Sequence, residues 1–244
     1  MGNVRDNLDA VIENGLEFAQ RYSIPLLVFR AGEKERELAT GSFVKTSDSV
    51  FLVTAKHVVE EFLRLGPGGR MQIGTQAFVL SDLDPKRVRC PQNLDVAIIE
   101  FDDATISMNG WPILNLVDIS IKPVKQLDLV AYCGFPGDLK DLSGHQKTIR
   151  SFSLCATIDV VESDQFSMRV DEERFETDIA HVTPMFRLGG VSGAPVFSIV
   201  DINDGRIRKP LLVGWVHEGA AWSRYEQKHY AVPTYEVLYW FRRN

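Results

Sequence analysis

Ser192 stands in Gly189-Gly190-Val191-Ser192-Gly193-Ala194-Pro195, a glycine-rich turn leading into the apolar pair Val196-Phe197. Glycines let a backbone approach a substrate carbonyl closely, and such a turn can aim the amide hydrogens of Gly190 and Ser192 at one point. The same segment also reads as an ordinary glycine turn between strands. His57 ends the run Phe51-Leu52-Val53-Thr54-Ala55-Lys56-His57, so a buried strand would deliver an imidazole at its end. A lone histidine in that place is more often structural. Asp95 precedes the nearly continuous apolar strand Val96-Ala97-Ile98-Ile99-Glu100-Phe101. Burying its carboxylate costs several kcal/mol unless it is paired, and an imidazole donor is one of few good partners, with strand capping as the plainer alternative. A hydroxyl, an imidazole and a carboxylate together can activate a nucleophile for acyl transfer, and the chain order His57, Asp95, Ser192 is one known arrangement of that triad. Asp102 and Asp103 are rival carboxylates, but they follow the strand as a polar pair and read as turn residues.

The elements that must position these groups are mostly strands. Leu8, Val11, Ile12, Leu16 and Ala19 repeat at helical spacing behind Asp6 and Asn7, which predicts an amphipathic helix over about residues 7–21. From residue 24 to 232 the period changes to short β-rich runs at 25–29, 42–44, 50–54, 96–101, 127–133, 156–161 and 211–216, punctuated by Gly, Pro, Asp or Asn. This is an all-β pattern. The only other helix expected is the terminal run Val237-Leu238-Tyr239-Trp240-Phe241, which follows Pro233 and ends in the cations Arg242 and Arg243. The chain thus divides into a helical extension (1–22), a first β half (23–115), a second β half (116–233) and a C-terminal helix (234–244), with the polar stretch near 102–122 as the connection.

With 244 residues, 45% of them hydrophobic, the chain can bury a sizeable core, and its net charge of −6 argues against a surface built to neutralise phosphates or anionic lipid. Neither nucleic acid nor membrane is an expected partner. Cys90, Cys133 and Cys155 show no CxxC spacing, so neither a disulfide framework nor a thiolate zinc site is encoded, and they read as small buried hydrophobes. His181, His217 and His229 lack metal-ligand spacing and read as surface or core residues. No metal or cofactor is expected. A secreted barrel would carry paired cysteines, and Asp6, Asp9, Glu13 and Glu17 fall where a signal peptide needs a basic start and an apolar run, so the expected compartment is the cytoplasm.

A resemblance sharpens these expectations. Gly41-Ser42-Phe43-Val44, Thr54-Ala55-Lys56-His57-Val58-Val59, Leu94-Asp95-Val96-Ala97, residues 128–136 (DLVAYCGFP), Thr177-Asp178, residues 190–195, Leu212-Val213-Gly214-Trp215 and Tyr230-Ala231-Val232-Pro233 occur in that order. Over about residues 38–234 the chain resembles the trypsin/chymotrypsin-fold serine peptidases, and within them the bacterial HtrA-type branch. The resemblance implies two six-stranded antiparallel β-barrels with the triad in the cleft between them, His57 and Asp95 from the first and Ser192 from the second. It further implies an oxyanion hole from the amides of Gly190 and Ser192, and a protein or peptide substrate. The specificity pocket would be lined by Met185, Phe186, Val213, Gly214, Trp215 and Val216, and with no carboxylate at the Phe186 position an apolar or small side chain is expected there. Val191 stands where zymogen-activated relatives carry Asp, so activation by N-terminal cleavage is not expected and an activating or regulatory protein partner is a candidate for control. Gly214 replaces a Ser that supports the triad Asp in many relatives, which puts that contact in doubt. Only a short segment follows Pro233, so a bare peptidase domain without a PDZ-like extension is expected.

Two other readings compete. In the first the barrels persist as an idle pseudo-peptidase that serves as a binding or regulatory module. In the second, Ser192, then Asp201 or Asp204, then His217 or His229 obeys the chain order of an α/β-hydrolase esterase. That motif fails at Ala194, where a nucleophile elbow wants Gly, and at Pro195, which opens a strand-like run where a helix should begin.

Overall fold

A computed structural model describes residues 4–32, 37–75, 78–81, 83–120, 123–137, 140–141, 148–170, 190–199, 209–219 and 228–241. Helix α1 (Val4–Tyr22) is followed by strands β1 (Ile24–Arg30), β2 (Glu37–Lys45) and β3 (Val50–Thr54). The chain then turns into α2 (Lys56–Arg64) and continues through β4 (Gly69–Ile73), β5 (Val79–Leu80), β6 (Val88–Arg89), β7 (Ala97–Phe101), α3 (Asp103–Asn109) and β8 (Ile113–Asn115). The second half holds β9 (Leu129–Gly134), the short pair β10 (Lys140–Asp141) and β11 (Thr148–Ile149), β12 (Phe152–Val161), β13 (Phe166–Val170), β14 (Pro195–Ser198), β15 (Leu211–Gly219) and β16 (Lys228–Pro233), ending in α4 (Thr234–Val237).

The second half closes into a barrel in the order β12-β13-β16-β15-β14-β9. Its six strands match the expectation. The first half is a curled eight-stranded sheet in the order β5-β4-β1-β2-β3-β7-β6, to which the short β8 adds in parallel beside β2. All other pairings in these two sheets are antiparallel.

The continuous apolar strands in the sequence follow from three core layers. Val50 and Leu52 of β3, with Ala97, Ile99 and Phe101 of β7, fill the interior of the first half. The alternate residues Phe51, Val53 and Ile98 face the other way, into a layer shared with Ala131, Cys133, Phe197, Leu212, Trp215 and Val232 of the second half. Strands buried on both faces have no polar side to show, which is why β3 and β7 lack alternation. Tyr132, Leu154, Phe166, Val196 and Val213 fill the closed barrel. Complete burial of such side chains contributes roughly 1.5–3 kcal/mol each before chain entropy is counted.

Helix α1 has 19 residues and starts earlier than its periodicity predicted. Val11, Ile12, Leu16, Phe18 and Tyr22 pack on the shared layer. Gly15 approaches Ile199 so closely that a Cβ there would overlap its Cγ2. Ser23 Oγ lies 2.8 Å from Ala19 O and 2.7 Å from Cys133 O, tying the helix end to β9.

Two helices were missed in the sequence, α2 and α3. The expected C-terminal helix is also shorter: α4 has four residues and passes into a 3-10 turn, Leu238–Phe241. In a 3-10 turn residues three apart eclipse one another, so Leu238 and Phe241 share a side, and both pack on the shared layer.

Candidate active site

β3 ends at Thr54, and Ala55 holds an extended backbone (φ −71°, ψ 143°) as the N-cap of α2. His57 therefore projects from the first turn of a helix and not from a strand end. Val58, Val59 and Phe62 bury the other side of α2 and fix the orientation of that turn. The alanine cap supplies no side-chain acceptor. Asp95, immediately before the β7 run, takes over that task from a distance of 38 residues.

One Asp95 oxygen, Oδ1, accepts the backbone N–H of His57 at 3.0 Å, and Oδ2 lies 2.7 Å from His57 Nδ1. The carboxylate thus satisfies one of the free amides at a helix start and the imidazole together. With Nδ1–H donated to Asp95, the lone pair of Nε2 is free to accept a proton. The hydrogen bond and the charge of Asp95 raise the His57 pKa above its ordinary value, against an opposing effect of burial. At Asp95 burial pushes the carboxyl up, but the hydrogen bonds and charge of His57 outweigh it and hold the carboxyl below its ordinary value. The rivals fall away. Asp102 caps α3, accepting Thr105 N–H at 2.8 Å.

The Ser192 turn is held by β2 and β15. Thr40 N–H of β2 donates to Ser192 O at 3.0 Å, and Gly193 N–H donates to Val216 O at 2.6 Å. Gly193 has φ +88°, and a Cβ there would fall on Thr40 O and lie 3.0 Å from Ala55 N, two residues from His57. The turn is therefore pressed against the segment that carries the imidazole. Gly190 has φ +104°, where a Cβ would overlap Phe135 O. Only glycine tolerates both the conformation and the approach. Among the described residues no hydrogen bond uses the N–H of Gly190 or Ser192, or the Ser192 hydroxyl.

Thr40, which the sequence did not single out, holds this arrangement together. Its Oγ1 donates to Gly190 O at 2.6 Å and accepts Phe135 N–H at 3.1 Å, while its carbonyl accepts Thr54 Oγ1–H at 2.7 Å. These partners lie up to 150 residues away, so no local signal could have revealed them.

Of the residues expected to line a specificity pocket, Met185 and Phe186 lie outside the described residues. Val213 and Val216 are buried with Val191 and Ala194, the neighbours of Ser192. Trp215 is fully buried between the halves, and its Nε1–H donates to Ser42 Oγ at 3.0 Å, so its ring does not line an open pocket. At Gly214 a Cβ would lie 2.6 Å from Val232 O, which leaves no room for the side chain that supports Asp95 in many relatives. His217 contributes to lowering the Asp95 pKa. It is the extra residue of a bulge where β15 shifts register against β16, a device that re-aims a side chain.

Of the esterase candidates, Asp201 and Asp204 lie outside the described residues. Burial pushes the Cys90 thiol up, away from thiolate character. Among the described residues no group of three or more His, Cys, Asp or Glu is placed to hold a metal ion. No described helix is long and apolar enough to cross a membrane.

No protein-family model matches the sequence, and no curated protein matches it either. Among solved structures, the chain is similar to the crystal structure of the Rv3671c protease from M. tuberculosis in its active form. The TM-score is 0.55 at 16% identity, over 94% of this chain and 83% of that one. At this identity the likeness speaks for the fold alone, and it agrees with the closed barrel, the curled sheet and the short helices described above. The chain has the chymotrypsin-like fold.

Proposed function

We propose that the chain is a cytoplasmic serine endopeptidase in which Ser192 is the nucleophile, His57 the general base and acid, and Asp95 the group that orients and charges the imidazole. The observation that carries this reading is the Asp95 carboxylate bonded to both Nδ1 and the backbone N–H of His57, with the Ser192–Gly193 turn packed against Ala55. His57 Nε2 takes the Ser192 proton as Oγ attacks the scissile carbonyl, then gives it to the leaving amine. The amides of Gly190 and Ser192 hold the developing oxyanion, each such donor being worth about 3–4 kcal/mol. Water then attacks the acyl-enzyme by the same route and frees Ser192. No metal, thiol or nucleotide enters these steps.

Labelling with a fluorophosphonate followed by peptide mapping tests the assignment. The expected adduct is on Ser192, absent in Ser192→Ala and His57→Ala and retained in His217→Ala. An unlabelled native protein would favour the idle scaffold, and loss of labelling in His217→Ala would favour the esterase order.

A further inference from the structure

The Ser192 turn is fastened by one strand from each half, β2 through Thr40 N–H to Ser192 O and β15 through Gly193 N–H to Val216 O. β2 enters from Glu37. Every residue from Leu38 to Val44 is buried, so Glu37 is the one that shows its side chain to solvent at this end of the strand. Leu38 O lies 2.9 Å from the place a Cβ on Gly190 would take. Glu37 is therefore one residue away from backbone that touches the proposed oxyanion hole.

α2 stands beside it. The His57 side chain is half exposed, and Glu60 and Arg64 follow it at helical spacing, also exposed. After the Asp95 bond, the charge of Glu37 is among those that raise the His57 pKa, and after the Glu61 bond it also raises that of Arg64. The Glu37 carboxylate thus lies within electrostatic reach of both ends of the exposed α2 face. The other charges there have partners. Arg64 binds Glu61 through two bonds of 2.6 and 2.7 Å, Lys56 lies 3.6 Å from Glu60, and Asp95 holds His57. Among the described residues no ion pair engages Glu37. Residues 33–36 lie outside the described ones.

The direction of the reaction says which part of a substrate meets this carboxylate. His57 gives its proton to the leaving amine, so the segment that carries that amine lies against the imidazole. Glu37 and the exposed α2 face flank the same imidazole. Three strand residues separate Glu37 from Thr40, about 10 Å, while an extended leaving segment advances about 3.3 Å per residue. A long side chain on the first or second residue after the cleaved bond spans the remainder. The imidazolium formed in the reaction is already matched by Asp95, which leaves the charge of Glu37 for the substrate.

We infer that Glu37 is a specificity-determining residue that selects lysine or arginine at the first or second position after the cleaved bond. This rests on the peptidase reading given above. An acidic residue at those positions would face Glu37 and Glu60 and be repelled. The apolar or small side chain expected from sequence concerns the residue before the bond, so the two preferences are independent.

Digestion of a peptide library by the full chain tests this, with the new amino termini identified by mass spectrometry and fluorophosphonate labelling of Ser192 run in parallel. Lys and Arg should be enriched about fivefold at one of the first two positions after the cut, the upper end for an exposed ion pair. The enrichment should shrink as salt is raised. Glu37→Gln should remove it, and Glu37→Lys should replace it with Asp and Glu, while both variants still label at Ser192. Glu37 is exposed at the start of its strand, so neither change disturbs the core. No enrichment in the native protein, enrichment of acidic residues, or an enrichment that survives in both variants overturns the assignment and leaves the triad standing. A protein that labels but cuts no peptide overturns it as well. Absence of labelling in the native protein removes the peptidase reading and this one with it.

Discussion

The bond between His57 Nδ1 and Asp95 Oδ2 sets how activity should depend on pH. A base must be neutral to accept the Ser192 proton, and Asp95 raises the His57 pKa above the usual imidazole value of about 6.5. Activity is therefore expected to fall as the pH drops through a point above that value, in the plot of kcat/KM against pH. In Asp95→Asn the limb should move to lower pH, because the hydrogen bond and charge that raise it are gone. That variant should also lose about 10⁴-fold in kcat, since the amide can hold the wrong tautomer. An unmoved limb would assign it to another group. Ser192→Ala should leave thermal unfolding unchanged and remove turnover by about 10⁶-fold, and adding His57→Ala should cost little more because the two act as one unit. The same pair contributes to stability in a defined window. Its His57 part is present at low pH and is lost as pH rises through the raised His57 pKa, and its Asp95 part is lost as pH falls through the lowered Asp95 pKa.

At the level of elements, the 190–194 turn depends on a strand in the other half. Thr40 Oγ1 bridges Gly190 O and Phe135 N–H, so Thr40→Val should leave two buried groups unsatisfied at about 1–3 kcal/mol each. Urea unfolding should report that loss, and turnover should fall further than the stability loss alone explains, while Thr40→Ser restores both. Gly193→Ala should be more damaging, because the left-handed backbone and the Thr40 carbonyl both exclude a Cβ. Much at this scale was readable from sequence. The β-branched and aromatic run of β3, the periodicity of α1 and the motif residues around His57, Asp95 and Ser192 announced themselves locally. Helix α2 did not, because its start lacks a capping side chain and takes an acceptor from Asp95 instead. The Val58, Val59 and Phe62 spacing was a usable signal for it that the run of preceding strand residues concealed. Thr40, the His217 bulge and the Tyr132–His229 bond exist only through tertiary contact, so their residue types carried no local message.

Across the whole molecule, the two halves meet in one apolar layer and α1 seals its edge. An amphipathic face such as that of Leu8, Val11, Ile12 and Leu16 can dock a partner or pack on its own barrel. The structure places Val11, Ile12 and Leu16 in the shared layer, so deleting residues 1–22 should lower the melting temperature by several degrees. We propose that a protein partner controls the peptidase activity through another surface, so the purified chain alone should degrade casein poorly. Efficient casein degradation would rule that control out. Acid should also unsettle the barrel. His229 is neutral in the folded chain, with its pKa lowered to about 4, and becomes charged on unfolding below about 6.5. Its stabilising share is present above that value and is lost as pH falls toward 4, amounting to a few kcal/mol. Chemical unfolding at stepped pH should show this slope, flattened in His229→Leu.

The Thr40 bridge has one more consequence. Gly190 and Ser192 belong to the second half, yet both are held by a strand of the first. The geometry of the proposed oxyanion hole is therefore a property of the seam and is completed by neither half alone. On the proposed peptidase reading, any agent that pries the halves apart by a fraction of a hydrogen-bond length, whether solvent, temperature or a bound protein, would end turnover long before either sheet melts. Loss of turnover should precede loss of secondary structure along a denaturant series, which makes catalysis a gauge of how tightly the molecule is shut.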